Sequence, residues 1–182
     1  MERLARKATS LASANREKNG SLLGSLVSSD AAKRVQGLIQ DAVAKGARVA
    51  AGGIKDPPGM EPTVVDQVTP QMKLYSEESF GPVVAVVRVQ GEEEAIHVAN
   101  DTEYGLSAAV FGRDVTRALN VARRIESGIC HINGPTVHDE AQMPFGGVKS
   151  SSYGRFGGRA AIAEFTDLRW ITMQSAPRHY PI

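Results

Sequence analysis

The most constraining feature of this chain is an alternation between residues 83 and 132. Val83 to Val89 reads as a strand and Glu92 to Ala99 as a helix. A strand at Ser107 to Phe111, a helix at Val115 to Ile125 and a strand at Gly128 to Ile132 follow. Strands alternating with helices at this spacing imply crossover connections. The expected fold class is therefore α/β, a mostly parallel sheet with helices on both faces. Upstream, Val35, Leu38, Ile39, Ala42 and Val43 recur at i, i+3, i+4, i+7 and i+8, with a Ser or Asp cap before them and Gly46 after. That pattern predicts an amphipathic helix. Strands are expected at Arg48 to Ala51 and at residues 61 to 65, joined by a turn-rich stretch holding Pro57 and Pro58. Val115, Ala118, Leu119 and Ala122 share one face of the later helix. The last segment, Glu164 to Gln174, carries β-branched and aromatic residues suited to a further strand, an edge for pairing with another chain.

Composition removes several function classes. The 182 residues carry 21 basic and 20 acidic side chains, with no dense basic run and no aromatic-basic interleaving, so nucleic acid is not an expected partner. No stretch of eighteen apolar residues is present and the N-terminus lacks an apolar signal core, so no membrane association is expected and the location is read as cytoplasmic. The single cysteine, Cys130, permits no internal disulfide and fits a reducing compartment.

Two loops stand out. Glu77-Glu78-Ser79-Phe80-Gly81-Pro82 sits at the mouth of a strand, where α/β proteins place their chemistry. Its carboxylates read either as solvated loop charges or as ligand acceptors, and Phe80 as core or as a contact. The long loop Asn133 to Lys149 is rich in turn formers and reads as functional. Phe145, between a proline and two glycines, reads as pocket wall or core. His131, His138, Asp139 and Glu140 invite a metal or hydrolase reading, but their spacing does not suit ligands on one helix, and Cys130 and His131 alternate on a strand, so no metal is expected. The glycines of residues 144 to 158 form no phosphate-cradling motif.

Taken in order, Glu77-Glu-Ser-Phe-Gly-Pro82, Asn100-Asp-Thr-Glu-Tyr-Gly-Leu106, Gly128-Ile-Cys-His-Ile-Asn133 and Pro144-Phe-Gly-Gly-Val-Lys149 resemble the aldehyde dehydrogenase superfamily, over about residues 1 to 175. Tyr153-Gly-Arg-Phe-Gly-Gly158 and Glu164-Phe-Thr-Asp-Leu-Arg-Trp170 resemble its aromatic-aldehyde branch, which acts on salicylaldehyde, benzaldehyde or vanillin.

The resemblance implies oxidation of an aldehyde to the acid with NAD or NADP. It implies that Glu78 accepts from the nicotinamide-ribose hydroxyls and that Phe80 packs on the nicotinamide side. Asn133 ends a strand, residues 134 to 143 shape the aldehyde entrance, and Val137, His138 and Phe145 lie near the substrate. The family's nucleophilic cysteine, base glutamate, oxyanion asparagine and dinucleotide-binding domain precede the matching segment, so no catalytic residue is expected here and Cys130 reads as a small buried hydrophobe. The expected organisation is a partial catalytic domain over 1–163 and an oligomerisation strand and tail over 164–182, with a homo-oligomer as product. The alternative is a non-catalytic self-associating module. Two departures from the branch are Ser152, where glycine is usual and positive φ would strain a turn, and Ala12 to Gly20, which lacks the expected Gly-Asp-Pro turn.

Overall fold

The computed structural model describes residues 1–11, 25–54 and 59–179; the unusual stretch Ala12 to Gly20 lies outside them. The chain divides into two units, Met1–Gln90 and Gly91–Ile182.

The first unit is built on a three-stranded sheet. Helix α1 (Glu2–Ser10) is followed by α2 (Ser29–Ala44), strands β1 (Arg48–Ile54) and β2 (Met60–Asp66), a short α3 (Lys73–Ser76) and β3 (Val83–Val86). The α2 boundaries have local causes. The Ser28 hydroxyl accepts from the Ala31 amide at 3.1 Å, and Gly46 takes φ 103° just past the end, where a side chain would be strained. Its buried stripe is Ala32, Val35, Leu38, Ile39 and Ala42; Val43, expected on that face, sits at its margin and is half-exposed.

In the sheet the order is β1-β2-β3, with β1 antiparallel and β3 parallel to the central β2. Consecutive residues of β2 are buried, so both of its faces are covered. Helices α1 and α2 pack against the sheet. Val35, Leu38, Met60, Val65, Val68 and Met72 form the centre of the core. At the end of β2 the buried Asp66 carboxylate is held by Arg88 through Nε at 3.0 Å and Nη2 at 2.7 Å, with Arg48 Nη2 at 3.5 Å.

The second unit contains α4 (Gly91–Asn100), β4 (Tyr104–Gly105), β5 (Ser107–Val110), α5 (Val115–Ala122), β6 (Ile129–Ile132), β7 (Val148–Lys149) and α6 (Gly158–Glu164). β5 and β6 pair in parallel around α5, as the alternation predicts. β4 and β7 pair antiparallel. The α/β class is therefore observed, but the parallel character is partial: among the described residues two ladders are parallel and two antiparallel. Of the apolar face expected on α5 only Ala118 is fully buried, with Val115 and Leu119 substantially exposed.

The C-terminal expectation needs correction. Residues 158 to 164 are helical, and no strand forms over Glu164 to Gln174. β-branched and aromatic residues favour a strand only where a neighbouring strand completes the ladder; here the large side chains of Leu168, Trp170 and Met173 are almost fully exposed. Ser152 is not among the residues with positive φ. Its hydroxyl instead donates to the Gly154 carbonyl at 2.8 Å and accepts from the Gly154 amide at 3.2 Å, so a serine-type turn replaces the glycine one.

Candidate active site

The residues singled out above fall in both units, and each group is built locally. In the first unit, α3 delivers the chain to Glu77, whose amide bonds to the Lys73 carbonyl at 2.8 Å. Over the next two residues, the Arg34 guanidinium on α2 donates through Nη1 to the Glu78 carbonyl at 2.9 Å and through Nη2 to the Ser79 carbonyl. Phe80 adopts φ 46°, a conformation uncommon for a bulky residue. Gly81 follows against Val35; an added Cβ would lie 3.1 Å from a Val35 methyl. The Pro82 carbonyl then accepts from the Thr63 amide at 2.8 Å, and β3 begins.

The backbone of the hexapeptide is therefore held at both ends while its side chains point away from the core. Glu78 is exposed and, among the described residues, its carboxylate takes no partner. Phe80 is 73% exposed, which removes the core alternative. A free carboxylate beside a free aromatic ring fits a ribose diol and a nicotinamide, since one carboxylate accepts from two neighbouring hydroxyls and a flat ring packs on a flat ring.

In the second unit, β6 stops at Asn133, which takes φ 56°. Its side-chain amide closes a two-point latch on Gly112, accepting from the Gly112 amide and donating to the Gly112 carbonyl, both at 2.9 Å. The loop beyond is anchored where Ser107 donates to the Thr136 carbonyl at 2.8 Å. It is anchored again where Phe145 and Phe156 exchange backbone bonds of 2.7 Å in both directions. Gly157, at φ 84°, packs against the Met143 carbonyl where no side chain has room.

Between this loop and β6 lies a cavity of about 420 Å³, walled by Cys130, His131, His138, Glu140, Met143 and Phe145, within the size range of small-molecule sites. The His131 and His138 rings meet edge to face, centroids 5.6 Å apart at 82°. His138 Nε2 lies 3.7 Å from Glu140 Oε1, and Gln142 Nε2 donates to the other Glu140 oxygen. His131 Nε2 is buried without a partner among the described residues. Burial raises the Cys130 thiol pKa, with a hydrogen bond to Ser127 opposing.

Of the expected substrate-side residues, His138 and Phe145 line this cavity. Val137 does not: it is 92% exposed on the outside of the loop. Cys130 is only partly buried rather than wholly so. Among the described residues no three His, Cys, Asp or Glu side chains gather in a metal-binding group. Met143 and Glu140 join the cavity of the second unit through the fold of the loop, and in the first unit Arg34 joins the hexapeptide through a contact 44 positions away.

A family model for the aldehyde dehydrogenase family matches residues 1–171. This chain belongs to the aldehyde dehydrogenase family. Among its relatives in that family is vanillin dehydrogenase of Pseudomonas sp. strain HR199, 59% identical over 182 residues, covering all of this chain and 38% of the relative. Another is benzaldehyde dehydrogenase [NAD(+)] of Pseudomonas putida, 39% identical over 181 residues, covering 99% of this chain and 37% of the relative. The fold matches a crystal structure of an aldehyde dehydrogenase for salicylaldehyde from Pseudomonas putida G7, complexed with salicylaldehyde, at TM-score 0.92 and 46% identity. That match covers 100% of this chain and 38% of the other. The chain thus spans about 38% of the length of these vanillin and salicylaldehyde enzymes. Among the described residues no helix is long and apolar enough to cross a membrane.

Proposed function

We propose that this chain supplies the nicotinamide-ribose edge and part of the aldehyde-side wall of an enzyme that oxidises an aromatic aldehyde to its carboxylic acid with NAD or NADP. The observation that carries this reading is the agreement over the whole chain with the salicylaldehyde-complexed relative, and the relatives named for vanillin and benzaldehyde point the same way. The bound dinucleotide supplies the hydride acceptor. This chain's own residues bind and orient: Glu78 accepts from the ribose hydroxyls, and Phe80 buttresses the nicotinamide side. Phe145, with Met143 and His138, offers an aromatic and sulfur-bearing wall to the substrate ring.

Cys130 is not assigned the nucleophile's role. It lies inside β6, with a thiol whose pKa burial raises, whereas a catalytic cysteine needs ready access to the thiolate.

Residues 164–182 are proposed to meet a second copy of the chain. The exposed Phe165, Leu168, Trp170 and Ile171 favour that reading, as the self-associating alternative also would. The location proposed is cytoplasmic.

The test is titration of the chain with NADH, followed by NMR shifts of the Glu78 and Phe80 amides. Glu78→Gln is expected to weaken binding by roughly tenfold, the loss of a charge-assisted acceptor. Equal binding by both proteins would refute the cofactor assignment, and Phe145→Ala is expected to leave NADH binding unchanged.

A further inference from the structure

Three features of the chain lie outside the assignments above: the unpartnered His131 nitrogen, the groove beside Phe111, and the grip of Arg34 on the hexapeptide. The His131 nitrogen is a lone buried atom with nothing beside it to name a ligand, and nothing in the structure shows what covers the groove at Phe111. The grip of Arg34 carries an inference.

We infer that Arg34 is a positioning residue for the cofactor edge: its two-point clamp on the carbonyls of Glu78 and Ser79 holds the turn at Phe80 in its left-handed conformation and so sets the direction of the Glu78 carboxylate and the Phe80 ring. The inference rests on the cofactor-side assignment of Glu78 and Phe80.

Three observations converge. Both terminal guanidinium nitrogens of Arg34 are spent on successive backbone carbonyls rather than on a carboxylate, although Glu77 and Glu78 are neighbours in sequence. Arg is suited to this because its fork presents two donors in a fixed plane, which a lysine ammonium does not. Next, the clamp immediately precedes a strained residue. A phenylalanine at φ 46° costs free energy and persists only where its surroundings over-determine it. Arg34 restrains the two residues before Phe80, and Gly81 is wedged against Val35, the residue next to Arg34. One turn of α2 therefore holds both flanks of Phe80. Finally, the side chains so oriented are the ones left free, since Phe80 is exposed and the Glu78 carboxylate takes no partner among the described residues. A contact serving only stability would have little reason to fix the direction of Glu78 and Phe80, whose side chains stand exposed.

The experiment compares wild type, Arg34→Gln, Arg34→Lys and Glu78→Gln as full chains. It measures backbone amide order parameters over residues 77–83, NADH-induced shifts and a thermal melt. Wild type should show order parameters near 0.85 through the hexapeptide, falling below about 0.6 at Ser79 to Gly81 in Arg34→Gln. NADH binding should weaken by roughly tenfold in that variant. Arg34→Lys, able to hold one carbonyl at a time, should fall between. Glu78→Gln should lose NADH affinity with its order parameters intact.

Unchanged order parameters in Arg34→Gln would overturn the clamp. Loosening without any loss of NADH affinity, while Glu78→Gln does lose it, would overturn the positioning role and leave the cofactor assignment standing. Absence of NADH binding by wild type would overturn that assignment and the inference with it. If Arg34→Gln fails to fold by its melt while Arg34→Lys folds with a rigid loop and full affinity, one donor suffices and the two-point clamp is refuted.

Discussion

The two units solve the same problem by different means. Met1–Gln90 hides its apolar side chains: Ala32, Val35, Ala42 and Val65 have no accessible surface, and Met60, Val64, Val68 and Met72 almost none. Among the described residues of Gly91–Ile182 only Ile96 and Ala118 are buried apolar residues, and Tyr153, Phe156, Phe165 and Trp170 are largely exposed. What gives the second unit its form is backbone chemistry: the Asn133 latch, the Phe145–Phe156 bridge and glycines in close approach. A hydrophobic core is tolerant of sequence so long as volume is kept, whereas close backbone approach tolerates no added atom. The first unit therefore stores its stability in side chains, and the second stores its shape in glycine and carbonyl positions.

This contrast breaks most visibly under truncation of a core side chain. Leu38→Ala removes a 3%-exposed side chain facing the core and is expected to cost about 2–5 kcal/mol. Leu119→Ala, at a 40%-exposed position of the second unit, should cost less than about 1 kcal/mol. Chemical denaturation of both variants checks the difference; equal losses would mean that the second unit owns a core as consequential as the first.

The reverse asymmetry is probed with an added methyl group. A Cβ on Gly128 would collide with the Gly146 carbonyl oxygen and lie 2.8 Å from the Gly147 Cα. Both are backbone atoms that cannot rotate away. Gly128→Ala is expected to destabilise the second unit by roughly 1–3 kcal/mol. Gly37→Ala, on α2 with open space around it, should be neutral or stabilising by up to about 1 kcal/mol. Hydrogen exchange of β6 amides separates the two outcomes.

A smaller effect comes from the polar group inside the first unit. The hydrogen bonds from Arg88 lower the pKa of Asp66 from its ordinary value, against the opposing cost of burial. A depressed carboxylate binds fewer protons folded than unfolded. Its contribution is complete above the unfolded carboxylate value, near pH 4, and is lost as pH falls through the lower folded value. The first unit should therefore weaken in acid, and Asp66→Asn should be less stable at pH 7 with a flatter acid limb. An unaltered acid limb in that variant would show that other carboxylates govern it.

How much of this was legible in sequence depended on range. The α2 stripe, the β2 run and the β5–α5–β6 crossover follow from periodicity within a few residues, and so they were readable. Val43 was misjudged because a helical face has margins that periodicity does not mark. The segment from Glu164 to Gln174 was misread as a strand because propensity describes what a residue accepts, while a ladder needs a partner. Their motifs single out Glu78 and Phe145, and the roles given to them belong to the proposal. The φ of Phe80 and the grip of Arg34 were not, because an arginine on the polar face of a helix has the same pattern whether it meets solvent or a carbonyl 44 residues away.

The smallest expected effect concerns Cys130, which lies where the two strategies meet: on a backbone-defined strand, yet partly buried. Its thiol pKa is raised mainly by burial, with Ser127 opposing. For a thiol, a raised folded value means that the folded state keeps its proton longer. Stability should therefore be flat up to the unfolded thiol value, about pH 8.5, and decline slightly above it. The thiolate fraction at pH 8 is correspondingly small, so reaction with a disulfide reagent should be slower in the folded chain than in urea. Cys130→Ser should abolish the alkaline decline and leave NADH binding unchanged. A thiol that reacts in the folded chain faster than in urea would mean an activated sulfur at the wall of the cavity, and Cys130 would then have to be reassigned from the strand to the chemistry.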